Sequence, residues 1–434
     1  MKTINNIVET WRAASLLLLL GIATSLQAQP FRTEPFSERV QTLRVFPENQ
    51  WDSAPVVGVE NFQPLQNFQP LRMKTIDINF DVLGAAPNYL TYKIVHCNAD
   101  WTLSDLFEHE YLDGLQNNPL LDYDNSLNTT MDYIHYQLKL PNEQVRLKLS
   151  GNYVVQIFEE GSEQPILNAC FSVVEPQASV QMTVSPITDK GINNHFQAVN
   201  LVVGYRNEIR NPAQDLKVFV FQNNRQDNAA RFVKPYLVQT GKAEYNHAPA
   251  LIFDAGNEYR RFEMTTTQFA GLNIAAVNYH APYYHTVLYP NGFRNNRAYD
   301  FTDDLNGKVY IRNIDAEDAN TEADYQFVHF FLPCAQPLLE KVYILSGAFN
   351  NVLDKRSEMT YNASEGGYEK AVLLKEGYYN YLYVTQKNAS EPASTAPIEG
   401  DFYQTDNEYR AMVYARPVGT RYDQLIGVQT VQYK

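Results

Sequence analysis

Short runs in which apolar or aromatic residues alternate with polar ones recur along this chain. Side chains of a strand point to opposite faces in turn, so a period of two that is rich in Val, Ile, Tyr and Phe predicts half-buried β-strands. The clearest runs are KTIDINFDVL (74–83), YLTYKIVH (89–96), GNYVVQIFE (151–159), KVFVFQN (217–223), KVYIRNI (308–314), YQFVHFFL (325–332) and YLYVTQ (381–386). Long stretches with helical periodicity are missing, although 103–115 could form one short helix. The pattern predicts an all-β protein made of sandwiches.

The first 28 residues predict a secretory signal peptide. Lys2 and Arg12 precede an apolar run at 16–20, and small residues lead to Ala28, where we expect cleavage. The apolar run is short for a membrane span, and no later segment approaches the roughly 20 apolar residues that a span needs. We therefore expect an exported protein without a span of its own, which only a partner could hold at a membrane.

Three domains are predicted after the signal peptide. A single hydrophobic core rarely grows beyond about 250–300 residues, which the remaining chain exceeds. A strand-like ending at 171–179 closes one unit, and the polar, acidic stretch 313–324 indicates a linker into another. The predicted boundaries are 29–175, 176–318 and 319–434, and each unit suits an immunoglobulin-like β-sandwich of roughly 100 residues or somewhat more.

The net charge of −14 argues against nucleic acid as a partner. Affinity for phosphate backbones depends on Lys and Arg that displace counterions, and here 35 basic residues face 49 acidic ones. Removal of residues 1–28 takes away two cations and one acid, which makes the charge one unit more negative. We therefore do not expect nucleic acid as a partner.

Only three cysteines occur, Cys97, Cys170 and Cys334, so the chain is not a disulfide-rich scaffold. Cys97 and Cys170 both fall in the first predicted domain. A single bridge between them and two buried free thiols are alternatives that the sequence leaves open. The odd number of cysteines argues against a disulfide framework.

The segment KIVHCNADWTLSDLFEHEYLDG (93–114) concentrates the residue types of metal and nucleophilic sites. In an extended strand His96 and Cys97 point to opposite faces, so they cannot easily bind one ion. The architectural interpretation is that Trp101 and Leu106 anchor a long excursion between strands. We therefore expect neither metal nor cofactor, and the segment is interpreted as architecture.

Other catalytic and calcium patterns are weak. A hydrolase that uses His96, Asp100 or Glu108 is the least favoured hypothesis, because no G-x-S-x-G elbow occurs. DYDNS (122–126) and DDLNG (303–307) resemble calcium loops but lack the twelve-residue spacing with a closing Glu. The DLNG sequence instead predicts a turn whose Asn and Gly adopt positive φ, although incidental calcium binding stays an alternative.

The aromatic run NYHAPYYHTVLYPNGF (278–293) contains turn-forming residues, so part of it should lie near a loop surface. Tyrosine is common in interfaces because it offers a large rigid area with a polar tip. The alternative is that these rings alternate into a sandwich core. Together with the loop 101–115, this run supplies the predicted partner contacts Trp101, Leu106, Phe107, Tyr111, Tyr279, Tyr283, Tyr284, Tyr289 and Phe293.

A set of short motifs follows in a fixed order along the first predicted domain. They are HCNADW (96–101), EYLDG (110–114), YIHY (133–136), LPNE (140–143) and SGNY (150–153), followed near the end by GYYNYLYV (377–384), TDNEYRAMVYAR (405–416) and RYDQLIG (421–427). In order and spacing the chain resembles the plug proteins of the Bacteroidota type IX secretion system. The resemblance implies a non-enzymatic periplasmic protein that binds the giant outer-membrane β-barrel translocon and occludes it when no cargo is in transit.

A second resemblance concerns the last predicted domain. GAFNNVLDKRSEMTYN (347–362) is similar to early-set sandwiches that bind glycogen-like glucans. Those modules place a tryptophan shortly after the Gly-x-Phe-Asn, as a stacking platform, and Val352 occupies roughly that position here. The resemblance implies an early-set-like fold, and it leaves a periplasmic or surface glycan-binding protein as the alternative function.

Overall fold

The computed structural model describes residues 30–60, 70–191, 194–206 and 209–434, so the predicted signal peptide lies outside the described residues. The strands form separate sheets that pair into three β-sandwiches, which confirms the predicted all-β class of tandem sandwiches. Within the described ranges, no helix has the length and apolarity to cross a bilayer.

The first sandwich contains strands β1 to β12. They are β1 (Glu34–Pro35), β2 (Val40–Pro47), β3 (Val56–Gly58), β4 (Ile76–Leu83), β5 (Leu90–Cys97), β6 (Leu112–Gly114), β7 (Asn118–Leu120), β8 (Tyr123–Asn125), β9 (Tyr133–Leu140), β10 (Val145–Leu147), β11 (Gly151–Glu159) and β12 (Pro165–Val174). One sheet has the order β1-β12-β11-β5-β7, with β3 added to β12, and the other has the order β2-β4-β9-β8. Strands β6 and β10 form a separate ribbon. The short helix expected near 103–115 is confined to one turn, α1 (Glu108–Tyr111).

The middle sandwich begins with seven strands. They are β13 (Ser179–Ser185), β14 (Phe196–Gly204), β15 (Leu216–Gln222), β16 (Ala230–Val233), β17 (Leu237–Gln239), β18 (Lys242–Glu244) and β19 (Ile252–Asp254), with a one-turn helix α2 (Pro212–Asp215). One sheet has the order β13-β14-β18-β17, with β19 also paired to β14. Strands β15 and β16 belong to the second sheet, which later strands complete.

The third sandwich follows with nine strands. They are β20 (Arg260–Met264), β21 (Ile274–His280), β22 (Tyr283–Leu288), β23 (Val309–Ile311), β24 (Tyr325–Pro333), β25 (Lys341–Leu345), β26 (Thr360–Asn362), β27 (Gly367–Lys375) and β28 (Gly377–Gln386), with the helix α3 (Ala319–Glu322) before β24. A five-stranded sheet β21-β22-β24-β27-β26 faces the sheet β20-β28-β23, to which β25 adds. Asn306 and Gly307, in the loop before β23, both have positive φ, as the turn prediction required.

The chain then returns to the middle sandwich through β29 (Asn407–Ala415) and β30 (Gln424–Tyr433). These strands complete the sheet β16-β15-β29-β30, in which β15 and β29 pair from Leu216↔Ala415 to Gln222↔Tyr409. The third sandwich is therefore inserted between two parts of the middle one. This grouping differs from the predicted boundaries 176–318 and 319–434, because strand pairing over long separations leaves no local mark in the sequence.

The acidic stretch 313–324, interpreted above as a linker, lies inside the third sandwich. It contains α3, and its Thr321 carbonyl accepts a hydrogen bond from Leu127 N of the first sandwich at 2.9 Å. Its polar composition reflects a loop that contacts another domain. Polarity alone does not distinguish such a loop from a domain boundary.

Candidate partner-binding surface

His96 lies in the segment 93–114, which the sequence analysis considered as a metal or nucleophilic site. In the structure it is a buried structural residue. Its Nε2 donates a hydrogen bond to the Ser150 carbonyl at 3.0 Å, and its Nδ1 lies 3.0 Å from Ser104 Oγ. Burial lowers the pKa of His96 to about 4, so the ring is neutral at pH 7. A β-carbon at position 151 would lie 2.7 Å from His96 Nε2, which explains the Gly151 with a φ of +126°. These contacts give the ring a structural role in the first sandwich.

Cys97 and Cys170 are both buried free thiols. They lie on β5 and β12, the two strands that flank β11, so two strand spacings, about 10 Å, separate them. A disulfide needs α-carbons within about 7 Å, which favours the free-thiol alternative. Burial raises the pKa of Cys97 to about 12, so this thiol is a poor nucleophile.

The turn that follows His96 docks onto the middle sandwich at Asp423. Ala99 N donates to Asp423 Oδ2 at 3.1 Å. Lys217 Nζ contacts the same carboxylate at 2.7 and 2.8 Å, and Arg416 Nε contacts it at 2.9 Å. Burial disfavours the Asp423 carboxylate, but the bonds from Lys217 and Ala99 outweigh burial and lower its pKa. The motif thus joins two domains.

Further contacts widen this dock. Tyr414 OH donates to Asn152 Oδ1 at 2.8 Å, and Arg421 Nη2 donates to both carboxylate oxygens of Glu110 at 2.6 Å. An apolar cluster fills the space between the polar contacts and comprises Ala99, Phe219, Phe221, Met412, Tyr414 and Leu425. The first and middle sandwiches therefore share a small core of their own.

Asp81 forms the centre of a second dock, between the first and third sandwiches. Its Oδ2 accepts hydrogen bonds from Lys375 Nζ at 2.6 Å and from Tyr325 OH at 2.7 Å, and its Oδ1 lies 2.7 Å from His135 Nδ1. The side chains of Asp81 and Lys375 are each 1% exposed. Burial lowers the pKa of Lys375 to about 8 despite its acidic partner. This is a desolvated ion pair between domains that lie far apart in sequence.

Hydrogen bonds around Asp324 extend the second dock. Thr130 donates to Asp324 Oδ2 through its backbone N at 2.9 Å and through Oγ1 at 2.6 Å. Tyr133 OH donates to the Ala323 carbonyl at 2.8 Å. The loop before β9 is therefore held by the third sandwich.

The middle and third sandwiches also contact each other directly. Arg225 Nη2 donates to the Ala393 carbonyl at 2.9 Å, and Ala393 N donates to Asp227 Oδ2 at 2.9 Å. Lys308 Nζ of the third sandwich lies 2.9 Å from Glu408 Oε2 on β29. Each sandwich thus contacts the other two, and this mutual docking opposes hinge motion between them.

The segment that joins β5 to β9, residues 98–132, carries an unusual surface. No Lys or Arg occurs from 94 to 138. The exposed acidic residues of the segment are Asp105, Glu108, Asp113, Asp122, Asp124 and Asp132. Its exposed large apolar residues are Leu103, Phe107, Leu115, Leu121, Tyr123 and Leu127. We call these exposed acidic and apolar side chains the crossover surface, which the two docks hold at both ends.

The predicted contact residues within this segment divide into two groups. Phe107 is exposed, whereas Trp101 and Leu106 are half-buried. Tyr111 is buried in the first core, and its OH donates to the Ile94 carbonyl at 3.2 Å, so it cannot contact a partner. Leu115 and Leu121 are 77% and 71% exposed. Leu115 closes the predicted loop 101–115 but was not among the named contacts, and Leu121 lies outside that loop. The absence of basic residues from 94 to 138 is the signal that could have marked this surface.

The aromatic run at 278–293 forms the hairpin β21–β22 and the loop after it. Tyr279 and Tyr289 are exposed, and Tyr283 and Tyr284 are half-buried. Phe293 packs against the core of the third sandwich. Strand β21 is the edge of its sheet, so this hairpin offers a second exposed aromatic surface.

The described part of the chain offers little support for a metal site or for a glycan-stacking site. It contains no group of three or more His, Cys, Asp or Glu arranged to hold a metal ion. Val352, at the position of the expected stacking tryptophan, is buried in the third sandwich. The glycan-binding alternative therefore rests on the tyrosines of the hairpin alone.

Comparison with known proteins agrees with this arrangement. Residues 40–175 match the family model described as the type 9 secretion system plug protein, first domain. A solved structure, a hypothetical protein from Parabacteroides merdae ATCC 43184, is similar over 93% of this chain and 100% of its own, with 41% identity and a TM-score of 0.88. No curated protein shows a significant match.

The fold and these matches define a multidomain β-sandwich protein of a secretion system. The chain belongs to the type IX secretion system plug protein family. The family description is structural and names no catalytic activity.

Proposed function

We propose that this protein is a non-enzymatic periplasmic plug that binds and occludes the outer-membrane β-barrel translocon of the type IX secretion system when no cargo is in transit. The observation that carries the proposal is the family match over 40–175, the sandwich that docks onto both others. A plug must resist deformation, and two docks with buried carboxylates at their centres suit that task. Residues 1–28 would direct export to the periplasm, where the translocon opens.

The crossover surface is the contact that we favour. Its exposed leucines offer apolar area, and its acidic residues, in a segment that itself contains no Lys or Arg, fit a partner surface that carries Lys or Arg. Interfaces of this kind combine an apolar centre with a charged rim that selects the partner. The exposed tyrosines of the β21–β22 hairpin are a second contact candidate.

Co-purification from cells that express the translocon tests the function and the surface separately. The tagged wild-type chain should recover the large barrel after mild solubilisation. The double variant Leu115→Ser/Leu121→Ser should reduce this recovery about tenfold, because central apolar contacts dominate binding energy. Its free energy of unfolding should change by only about 0.5 kcal/mol, since both side chains are exposed.

Leu339→Ser is the matched control, because Leu339 is fully exposed on the third sandwich, away from the crossover surface. Failure of the wild-type chain to recover the barrel would refute the function. Equal recovery by the double variant and the control would refute the surface while leaving the function standing. Deletion of the gene should also raise outer-membrane permeability in cells without secreted cargo.

A further inference from the structure

A groove of about 540 Å³ lies between the first and third sandwiches. One wall is β2, the edge strand of its sheet in the first sandwich. The other wall is the second half of β27, residues 370–374, in the third sandwich. Apolar side chains of both sandwiches line the space between the walls, among them Val40, Leu43, Val309, Ile311, Phe349 and Tyr379.

Strand β27 has a free edge along this groove. On one side β24 pairs with all nine residues of β27. On the other side β26 pairs only with the first three, Gly367–Glu369. The position beside the rest of β27 is therefore vacant in the sheet, and it opens into the groove.

The alternation of hydrogen bonds along an antiparallel pair decides which backbone groups of β27 face the groove. Just beyond the strand, Glu376 N donates to the Asp324 carbonyl, so every second residue before Glu376 bonds to β24. Ala371 and Leu373 occupy the other positions, and their N–H and C=O groups point away from β24. In the described part of the chain these outward groups have no hydrogen-bond partner.

A free strand edge binds another extended segment through its backbone groups. A segment beside Ala371 and Leu373 would continue the row that β26 begins. Every second side chain of that segment would enter the apolar space near Phe349 and Tyr379. The β2 wall stands opposite, so the groove suits one extended segment better than the edge of a second folded sheet.

The charges of the groove indicate which segment fits. Four basic and two acidic residues line it, namely Arg44, Lys355, Arg356, Lys370, Glu38 and Asp354. The ion pair between Arg356 and Asp354, at 2.7 Å, leaves three cations facing one acid. Such a cationic groove, in a chain whose net charge is −14, favours a segment that carries carboxylates.

We propose that this groove binds an acidic, extended peptide segment of another protein as an added strand of the third sandwich. Backbone hydrogen bonds to Ala371 and Leu373 supply affinity for any extended chain. The apolar space accepts alternate side chains, and the cations at the rim select carboxylates on the remaining ones. The site lies apart from the crossover surface and does not depend on the proposed function.

Fluorescence anisotropy of the labelled heptapeptide Glu-Val-Glu-Val-Glu-Val-Glu with the purified full chain tests the proposal. We expect saturable binding, and a peptide with Lys in place of Glu should bind about tenfold more weakly or worse. Two N-methylated forms, one at each Val and one at each Glu, should differ. In an added strand only one of these two sets of N–H groups faces β27, so only one form should lose binding.

Ala371→Pro removes the outward N–H and leaves the pairing with β24 intact, because proline is tolerated where an edge N–H faces outwards. It should weaken binding about tenfold, as loss of a central hydrogen bond does, without lowering the thermal unfolding midpoint. Ala371→Val keeps the N–H and is the matched control. Lys355→Gln should weaken binding about threefold and reduce its sensitivity to salt.

No binding of the Glu/Val peptide up to about 1 mM would overturn the proposal. Equal affinity for the Lys/Val peptide would overturn the preference for acid, and equal loss in both methylated forms would overturn strand addition. A dimer in sedimentation that Ala371→Pro dissociates would instead assign the groove to a second copy of this chain. The assay contains no translocon, so its failure leaves the proposed function standing.

Discussion

The two docks of the first sandwich differ in their access to water. Asp423, at the middle sandwich, is contacted by Lys217 and Arg416, whose side chains are 26% and 41% exposed. Asp81, at the third sandwich, meets Lys375, and both side chains are 1% exposed. One carboxylate thus has two cations that reach solvent, whereas the other has a buried lysine with the imidazole of His135 beside it.

This difference predicts how each dock fails. A buried carboxylate that loses the cation paired with it stays desolvated and strongly destabilises the fold, whereas a partly exposed ion pair contributes little because water can replace it. The dock at Asp81 should therefore break on a single substitution. The dock at Asp423 should lose only part of its stability with each partner of Asp423 that is removed.

The largest effect is expected for Lys375→Met. The substitution leaves Asp81 charged and buried, so the free energy of unfolding should fall by about 3–5 kcal/mol in urea denaturation. Adding Asp81→Asn should restore part of the loss. Lys370→Met on the same strand is the control, since Lys370 Nζ donates to the Lys355 carbonyl. Equal losses for both lysines would contradict the comparison.

An intermediate effect is expected from acid at the dock with the middle sandwich, where the His96 ring lies 5.2 Å from the Tyr422 ring. Burial lowers the pKa of His96 from 6.5 to about 4, so in this window the unfolded chain binds a proton that the native chain does not. The contribution of His96 to the free energy of unfolding is therefore fully present above pH 6.5. It falls by about 3 kcal/mol as the pH drops to about 4.

Urea denaturation near both ends of that pH window checks this prediction in the wild type and in His96→Gln. The variant should lose the contribution of this group to the pH dependence. His109→Gln, which changes an exposed histidine of the same segment, should keep it. If the free energy of unfolding depends on pH equally in the wild type and in His96→Gln, the dependence does not come from His96.

The smallest effect is expected for Arg416→Met. Asp423 keeps Lys217 and Ala99 N as donors, and the Arg416 side chain is already 41% exposed. Unfolding free energy should fall by about 1 kcal/mol, within the range of a partly hydrated ion pair. A loss as large as that of Lys375→Met would remove the distinction between the docks.

Local patterns predicted the strands but not their partners. In β4 the alternation of Ile76, Ile78 and Phe80 correctly indicated one core face. Asp81 on the opposite face had the appearance of a solvent-facing residue, yet its partner Lys375 lies 294 positions later. No local sequence pattern encodes such a contact. The role of Asp81 on the polar face of β4 can be recognised only when the position of the third sandwich is known.

The predicted contact residues differ in exposure for a similar reason. Phe107, Tyr279 and Tyr289 are exposed as an interface requires, whereas Tyr111 is buried because its ring fills the first core. Aromatic residues attract attention in a sequence, but an isolated leucine in a loop is usually interpreted as an anchor. Leu115 and Leu121 show that such leucines can instead face outwards.

The insertion of the third sandwich also sets the order in which the chain can mature. Strand β19 ends at Asp254, and β29, which pairs with β15, begins only at Asn407. During synthesis, the second sheet of the middle sandwich stays incomplete until the third sandwich and then β29 and β30 have been made. Closing so long a loop is slow unless the insert folds first and brings its two ends together.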